Sequence, residues 1–267
     1  MLDFILIAIS ILTWNTARMG QFVKPEQNKV LQYLVAQDAD VICLQEVDVY
    51  KNERFLTLPD VKNTLGQKYP YSYLDFVVYD KRHQYGTMVW SKYPLINKQS
   101  IHYETRGNMS NRCDIVIGND TIRLFNNHLE SYNFKAEDIA DLDSIHNYEG
   151  LLATFKRLKA KWDRAVPLRN AQAKVVRAEI EKSPYPVIVV GDLNATIFSY
   201  AYWHLSEGLH DAWWSTHPWK WGTTCEHRGF GVRIDYIFSS ESLRPVNCTI
   251  PQTGGSDHKP VVATLEW

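Results

Sequence analysis

The chain of 267 residues is 45% hydrophobic and 22% charged, which excludes a disordered chain and leaves ample apolar material for a large core. Twenty-nine lysines and arginines against thirty acidic residues give a net charge of −1. That balance argues against gripping long nucleic acid mainly through counterion release, and is compatible with a local basic cleft.

Phe4 to Leu12 is apolar except for Ser10. A bilayer span takes about 20 residues, and Met1-Leu2-Asp3 offers no basic start for a signal peptide. The run is read as a buried first strand over residues 4–14, with a truncated membrane-anchoring or export segment as the alternative. Pro25 and the spacing of Val30, Leu31, Leu34 and Val35 predict an amphipathic helix over about 25–37. Val41-Ile42-Cys43-Leu44 predicts a second strand that ends in Gln45-Glu46. Residues 71–79 and 84–91 predict neighbouring strands joined by Asp80-Lys81-Arg82-His83. Asp114–Ile117 and Thr121–Phe125 flank Gly118-Asn119-Asp120, a hairpin signal.

From about 135 to 182 the pattern is helical, carried by Leu151, Leu152, Phe155 and Leu158 and by Ala173, Val176 and Ile180. Val187–Val190, Ile234–Phe238 and Val261–Leu265 predict further strands. Residues 198–221 hold eight aromatics, for which core packing under a long connection is expected, with base stacking or lipid contact as alternatives. Cys43, Cys113, Cys225 and Cys248 include no close pair, so free and mostly buried thiols are expected. With no repeat, linker or charge block, one domain over 1–267 is expected: an α/β chain of two packed sheets with helices outside. Nothing in the sequence points to a protein partner, and a monomer is expected.

Polar residues recur at the ends of apolar strands: Asn15, Glu46, His128, Asp192 with Asn194, and Asp235. Such ends can assemble a site at one edge of a core. Asn15 and Glu46 offer oxygens that suit a hard cation such as Mg²⁺. Asp192 and Asn194, two apart, would share one side of an extended strand end. An Asx turn is the alternative there. His258 needs a carboxylate to fix its tautomer, and Asp235, costly on an otherwise apolar strand unless paired, is the candidate. A salt bridge of Asp235 to Arg233 or Arg228 is the alternative. The other histidines lack strand-end context and are read as surface or packing residues.

Thr13-Trp14-Asn15, Leu44-Gln45-Glu46-Val47, Asn126-Asn127-His128-Leu129, Gly191-Asp192-Leu193-Asn194, Arg233-Ile234-Asp235-Tyr236 and Ser256-Asp257-His258-Lys259-Pro260 stand in this order along nearly the whole chain. The set resembles the endonuclease/exonuclease/phosphatase superfamily, which includes deoxyribonuclease I, exonuclease III, neutral sphingomyelinases and inositol-polyphosphate 5-phosphatases. The resemblance implies a four-layer, deoxyribonuclease I-like sandwich of two mixed sheets flanked by helices. It implies a phosphoester hydrolase using Mg²⁺ or Mn²⁺ held by Glu46 with Asn15 and Asp257. Asp192 would orient and deprotonate the attacking water, Asn194 and His128 would hold phosphoryl oxygens, and His258, oriented by Asp235, would stabilise the transition state. Asn15-Thr16-Ala17 lacks the acidic residue of abasic-site enzymes, and Arg233-Ile234-Asp235-Tyr236 departs from the 5-phosphatase pattern. The substrate is a nucleic acid, a phospholipid or a small phosphorylated metabolite; the alternative to an enzyme is a binding protein that keeps the fold.

Overall fold

The computed structural model describes residues 7–19, 23–105, 107–133, 148–227 and 230–267. In chain order its strands are β1 (Ala8–Asn15), β2 (Val41–Tyr50), β3 (Tyr71–Tyr79), β4 (His83–Ser91), β5 (Leu95–His102), β6 (Met109–Ile117) and β7 (Asp120–His128). Then follow β8 (Val187–Asp192), β9 (Leu209–Asp211), β10 (Cys225–His227), β11 (Phe230–Val232), β12 (Asp235–Ser240), β13 (Arg244–Thr249) and β14 (Val261–Glu266). The helices are α1 (Lys29–Ala36), α2 (Leu58–Leu65), α3 (Tyr148–Glu181), α4 (Tyr200–Ser206) and α5 (Ala212–Thr216). One six-stranded sheet has the order β13-β14-β1-β2-β4-β3 and the other β5-β6-β7-β8-β12-β9, with β10 and β11 forming a separate ribbon. Both six-stranded sheets are mixed, since β1–β2 and β7–β8 are parallel and their other pairings antiparallel.

Both faces of each sheet are covered, which is why the central strands read as continuous apolar runs rather than alternating ones. In β1, Ile9 and Ile11 point into the space between the sheets, where they meet Cys43, Val89, Ile115, Leu124 and Val190. The alternate residues Leu12 and Trp14 point outward, onto Val30, Leu31 and Leu34 of α1 and Val61 and Leu65 of α2. On the far side of the second sheet, Phe125, Val189 and Phe238 pack against Ala173, Val176 and Ile180 of α3. Helix, sheet, sheet and helix therefore stack as four layers.

Two expected elements have different bounds for physical reasons. Pro25 starts a separate 3₁₀ turn, Pro25–Gln27, and Asn28 then caps α1 by accepting from the Leu31 amide. The expected helix over 135–182 is α3 from Tyr148, residues 134–147 lying outside the described residues. Residues 1–6 of the expected first strand lie outside them as well. The aromatic stretch corrects the sequence expectation: Phe198, Tyr200, Trp203, Trp219 and Trp221 are exposed, and only Tyr202 is buried. For Tyr200 and Trp203 the cause is geometric, because α4 is seven residues long and presents only one side to the sheet, while Phe198, Trp219 and Trp221 lie in the connections outside it. The cysteines are free, and burial pushes the thiols of Cys113 and Cys248 up to about 12, which keeps them inert.

Towards one end of the sandwich the apolar interior gives way to hydrogen-bonded amides. Gln45 Nε2 donates to Thr13 Oγ1 at 2.9 Å and, across the two sheets, to Asn126 Oδ1 at 2.7 Å. Asn111 Nδ2 donates to Thr87 Oγ1 at 2.7 Å across the same gap. Such pairs fix how the sheets register, because each buried group left unpartnered costs about 1–3 kcal/mol.

A buried ion pair holds β6 to β7 further along. Arg123 Nε and Nη2 donate to Asp114 at 2.7 and 2.9 Å, and Asn97 adds a bond at 2.8 Å. Burial alone raises the Asp114 pKa, but Arg123 and Asn97 outweigh it and hold the carboxyl below its ordinary value. Its stabilisation is therefore complete above the ordinary Asp value and lost as pH falls through the depressed one. Asp114→Asn is expected to cost about 3 kcal/mol at neutral pH by stranding Arg123. Urea unfolding should show that cost shrinking below about pH 4; a cost that is the same at all pH values contradicts it.

Candidate active site

The topology brings the strand-end polar residues to one edge. Strands β1, β2, β7 and β8 run towards it, and β12 and β14, antiparallel to β8 and β1, begin there. Asn15, His128 and Asp192 are the last residues of β1, β7 and β8, and Asp235 is the first of β12, directly across from Asp192. Close passage of β8 by β7 requires Gly191, with φ +123°, since a Cβ there would lie 2.0 Å from the Asn127 carbonyl oxygen.

Glu46 owes its position to a bulge. In a regular strand it would share a face with Leu44, which is buried against the helices. The β2–β4 register shifts between Leu44 and Val47, and Glu46 takes φ +50°, a left-handed backbone. Gln45 stays pointed between the sheets, and Glu46 is turned into the cleft. The last approach is tied down from β1: Ser256 Oγ donates to the Asn15 carbonyl oxygen at 2.8 Å, and Trp14 Nε1 donates to the His258 carbonyl oxygen at 2.9 Å.

The result is one continuous chain of contacts. His128 Nε2 lies 3.3 Å from Glu46 Oε1. Asn15 Nδ2 donates to Glu46 Oε1 at 3.2 Å and to Asp192 Oδ2 at 2.8 Å, bridging two carboxylates, while its Oδ1 accepts from the Ala17 amide. His258 Nδ1 bonds Asp235 at 2.9 Å, and its Nε2 stands 3.9 Å from Asp192 Oδ2, too far for a hydrogen bond. The alternative of an Asp235 pair with Arg233 is corrected, because Arg233 Nη1 donates to both oxygens of Asp211, each at 2.8 Å.

Asn194 departs from an extended strand end. It has φ +49°, its amide donates to Asp192 Oδ1 at 2.8 Å, and its Nδ2 reaches Asp192 Oδ2 and the Leu129 carbonyl oxygen. The Asx turn and the shared side therefore coexist, and Asn194 braces Asp192. Asp257 is exposed, with ligand atoms of Cys225, Asp257 and His258 lying within 4.8 Å of one another, and no hydrogen bond or ion pair joins it to Glu46 among the described residues.

The electrostatics separate the carboxylates. Burial raises Glu46, but His128 and Asn15 outweigh it and hold it at about 2, so it is ionised at neutral pH. Its Oε2 has no hydrogen-bond partner among the described residues. An ionised carboxylate with a free oxygen at the head of a cleft fits a hard divalent cation. Asp192 is raised to about 6, first by burial and then by Asp235. Burial lowers His258, but Asp235 and Asp192 outweigh it and keep it protonated well above the ordinary histidine value.

Of the site residues, Glu46 and His128 line a cleft of about 470 Å³, which also takes in Arg18, Tyr85, Asn108 and Ser131. Sequence reasoning missed all of these. Arg18 alone carried a signal, standing three residues beyond Asn15 in a turn where both Ala17 and Arg18 have positive φ.

A family model described as Endonuclease/Exonuclease/phosphatase family matches residues 12–258. No curated protein matches the sequence. Among solved structures, an endonuclease/exonuclease/phosphatase from Beutenbergia cavernae is 17% identical, with a TM-score of 0.69 over 97% of this chain and 71% of that one. Sphingomyelinase C from Streptomyces griseocarneus is 17% identical, TM-score 0.62, over 97% and 99% of the two chains. D. rerio TDP2 complexed with single strand DNA product is 17% identical, TM-score 0.63, over 97% and 98%. The four layers described above are the deoxyribonuclease I-like fold of these neighbours.

The His258–Asp235 pair has a measurable signature. A histidine raised by its partners contributes stability that is complete below the ordinary value of about 6.5 and lost as pH rises through the raised one. An NMR titration of the metal-free protein should find His258 still charged at pH 7.5, and Asp235→Asn should bring its titration down. Wild-type His258 titrating at or below 6.5 contradicts the pairing.

Proposed function

Because the chain belongs to the endonuclease/exonuclease/phosphatase family, a family of phosphoester hydrolases, we propose that it cleaves phosphoester bonds with Mg²⁺ or Mn²⁺ held chiefly by Glu46. Asn15 and Asp257 stand as secondary candidates for the cation. What supports this reading most is the unbroken contact chain from His128 through Glu46, Asn15 and Asp192 to His258 and Asp235. A bound divalent cation supplies positive charge to the phosphoryl group and lowers the pKa of water.

The chain's own groups divide the remaining work. Asp192, raised to about 6 yet ionised at neutral pH, accepts the proton of the attacking water. Asn15 and Asn194 hold its carboxylate in place. His258, kept cationic by Asp235, faces the negative charge that gathers on the phosphoryl oxygens. His128, also raised because Glu46 and Asp192 outweigh its burial, addresses the same oxygens from the other side. Asn194 donates both amide hydrogens into the protein, so its part is to position Asp192 more than to hold substrate.

Bis-p-nitrophenyl phosphate is expected to be hydrolysed with Mg²⁺ or Mn²⁺, with EDTA stopping the reaction. Asp192→Asn and His258→Ala should each lose about 100–1000-fold in kcat, and His258→Ala should also lower Tm, because it leaves the buried Asp235 carboxylate without its partner. Near-wild-type turnover in either variant contradicts the assigned roles. The pH profile of kcat/KM is a second check: it should fall below about pH 6 as Asp192 takes up a proton. A profile flat down to pH 4.5 removes Asp192 as the base.

A further inference from the structure

Beside the cleft lies a second pocket of about 640 Å³, which shares Arg18, Arg82 and His83 with it. The two pockets adjoin at these three residues. The walls include rings: Tyr50 lies 5.0 Å from Phe55 and stacks on His83 at 5.7 Å, centroid to centroid. Four cations, Arg18, Lys51, Lys81 and Arg82, face it against one carboxylate, Asp48. Asp48 is fully buried; its Oδ1 meets His83 Nδ1 at 2.6 Å, and its Oδ2 has no partner. The His83 side chain, read from sequence as surface or packing, is thus the hinge between the pockets, with Nε2 also 3.3 Å from Asp80.

Each feature narrows the occupant. Four cations select an anion and repel a quaternary ammonium, which the rings alone would welcome. The rings suit a flat π-face rather than a polyol. The chain's overall charge of −1 supplies no general excess of cations for a long duplex, and a local cluster suits a short strand.

We propose that this pocket is a subsite for the nucleotide flanking the scissile phosphate of a single-stranded nucleic acid, with Tyr50 and Phe55 against the base and Arg18, Lys81 and Arg82 on the phosphates. The inference rests on the phosphoesterase reading above and adds the substrate class. It assigns Lys81 and Phe55 to specificity, away from the chemistry. Lys81 is exposed in the β3–β4 turn, and its charge is available to a ligand.

The test uses Lys81→Glu and Phe55→Ala with two substrates, a short single-stranded DNA and bis-p-nitrophenyl phosphate, which has no flanking nucleotide. Each variant should lose about tenfold in kcat/KM on the oligonucleotide and stay within about twofold of wild type on the small diester. Lys81→Glu should also flatten the dependence of log kcat/KM on log[salt] by about 0.7, the share of one lost phosphate contact. Fluorescence anisotropy with a labelled oligonucleotide in EDTA gives the same comparison without turnover, and should report weaker binding for both variants. Equal losses on both substrates, or no loss on the oligonucleotide, overturn the subsite. So does hydrolysis of sphingomyelin vesicles that exceeds that of DNA and falls in both variants, which would put a lipid headgroup in the pocket. Wild-type inactivity on every phosphoester would instead overturn the active-site reading on which the subsite rests.

Discussion

Three carboxylates and two histidines share one edge of a β-sandwich, and four of the five are nearly sealed from water. Bringing Glu46, Asp192 and Asp235 together unpaired would cost several kcal/mol per charge. The arrangement is tolerable because every acid has a compensating neighbour: His128 at 3.3 Å from Glu46, His258 bonded to Asp235, and the Asn15 amide spanning Glu46 and Asp192. Asn15 carries the most consequence. Its one amide group touches two acids from different sheets, so the distance between the sheets sets the distance between those acids.

That demand is visible in the backbone. Of the seven non-glycine residues with positive φ among the described residues, Ala17, Arg18, Glu46 and Asn194 lie at the site. Each such residue costs on the order of 1–3 kcal/mol and persists only where its surroundings over-determine it. The amide layer of Gln45, Asn126 and Asn111 supplies part of that support, holding the two sheets together just behind the site. Rigid packing at the edge and strain within it are two sides of one design: the chemistry sits where the chain is least free to relax.

Much of this was legible in the sequence, and the exceptions have physical causes. The strands β1, β2, β7, β8 and β12 are buried on both faces over most of their length, so they announce themselves as apolar runs with a polar residue at one end. The Asp235–His258 pair followed from the cost of a charge on such a strand. By contrast β5 is mostly exposed, with only Leu95 and Ile101 buried, and has no apolar signature. The Glu46 bulge could not be foreseen, because it depends on the pairing of β2 with β4. Asn194 shares the side of Asp192 as expected, held there by the Asx turn given as the alternative rather than by an extended strand end. His83 and Asp48 escaped notice since their meaning comes from a contact 35 residues apart. The aromatics at 198–221 were expected inside, but a seven-residue helix buries one face only, and Phe198, Trp219 and Trp221 lie in connections outside it.

The most direct test of the convergence at this edge is anomalous diffraction from crystals soaked in Mn²⁺ with inorganic phosphate. One strong anomalous peak is expected on the Glu46 carboxylate, with phosphate density between His128 and His258. A peak only at Cys225 and Asp257, or none beside Glu46 at saturating Mn²⁺, would contradict it.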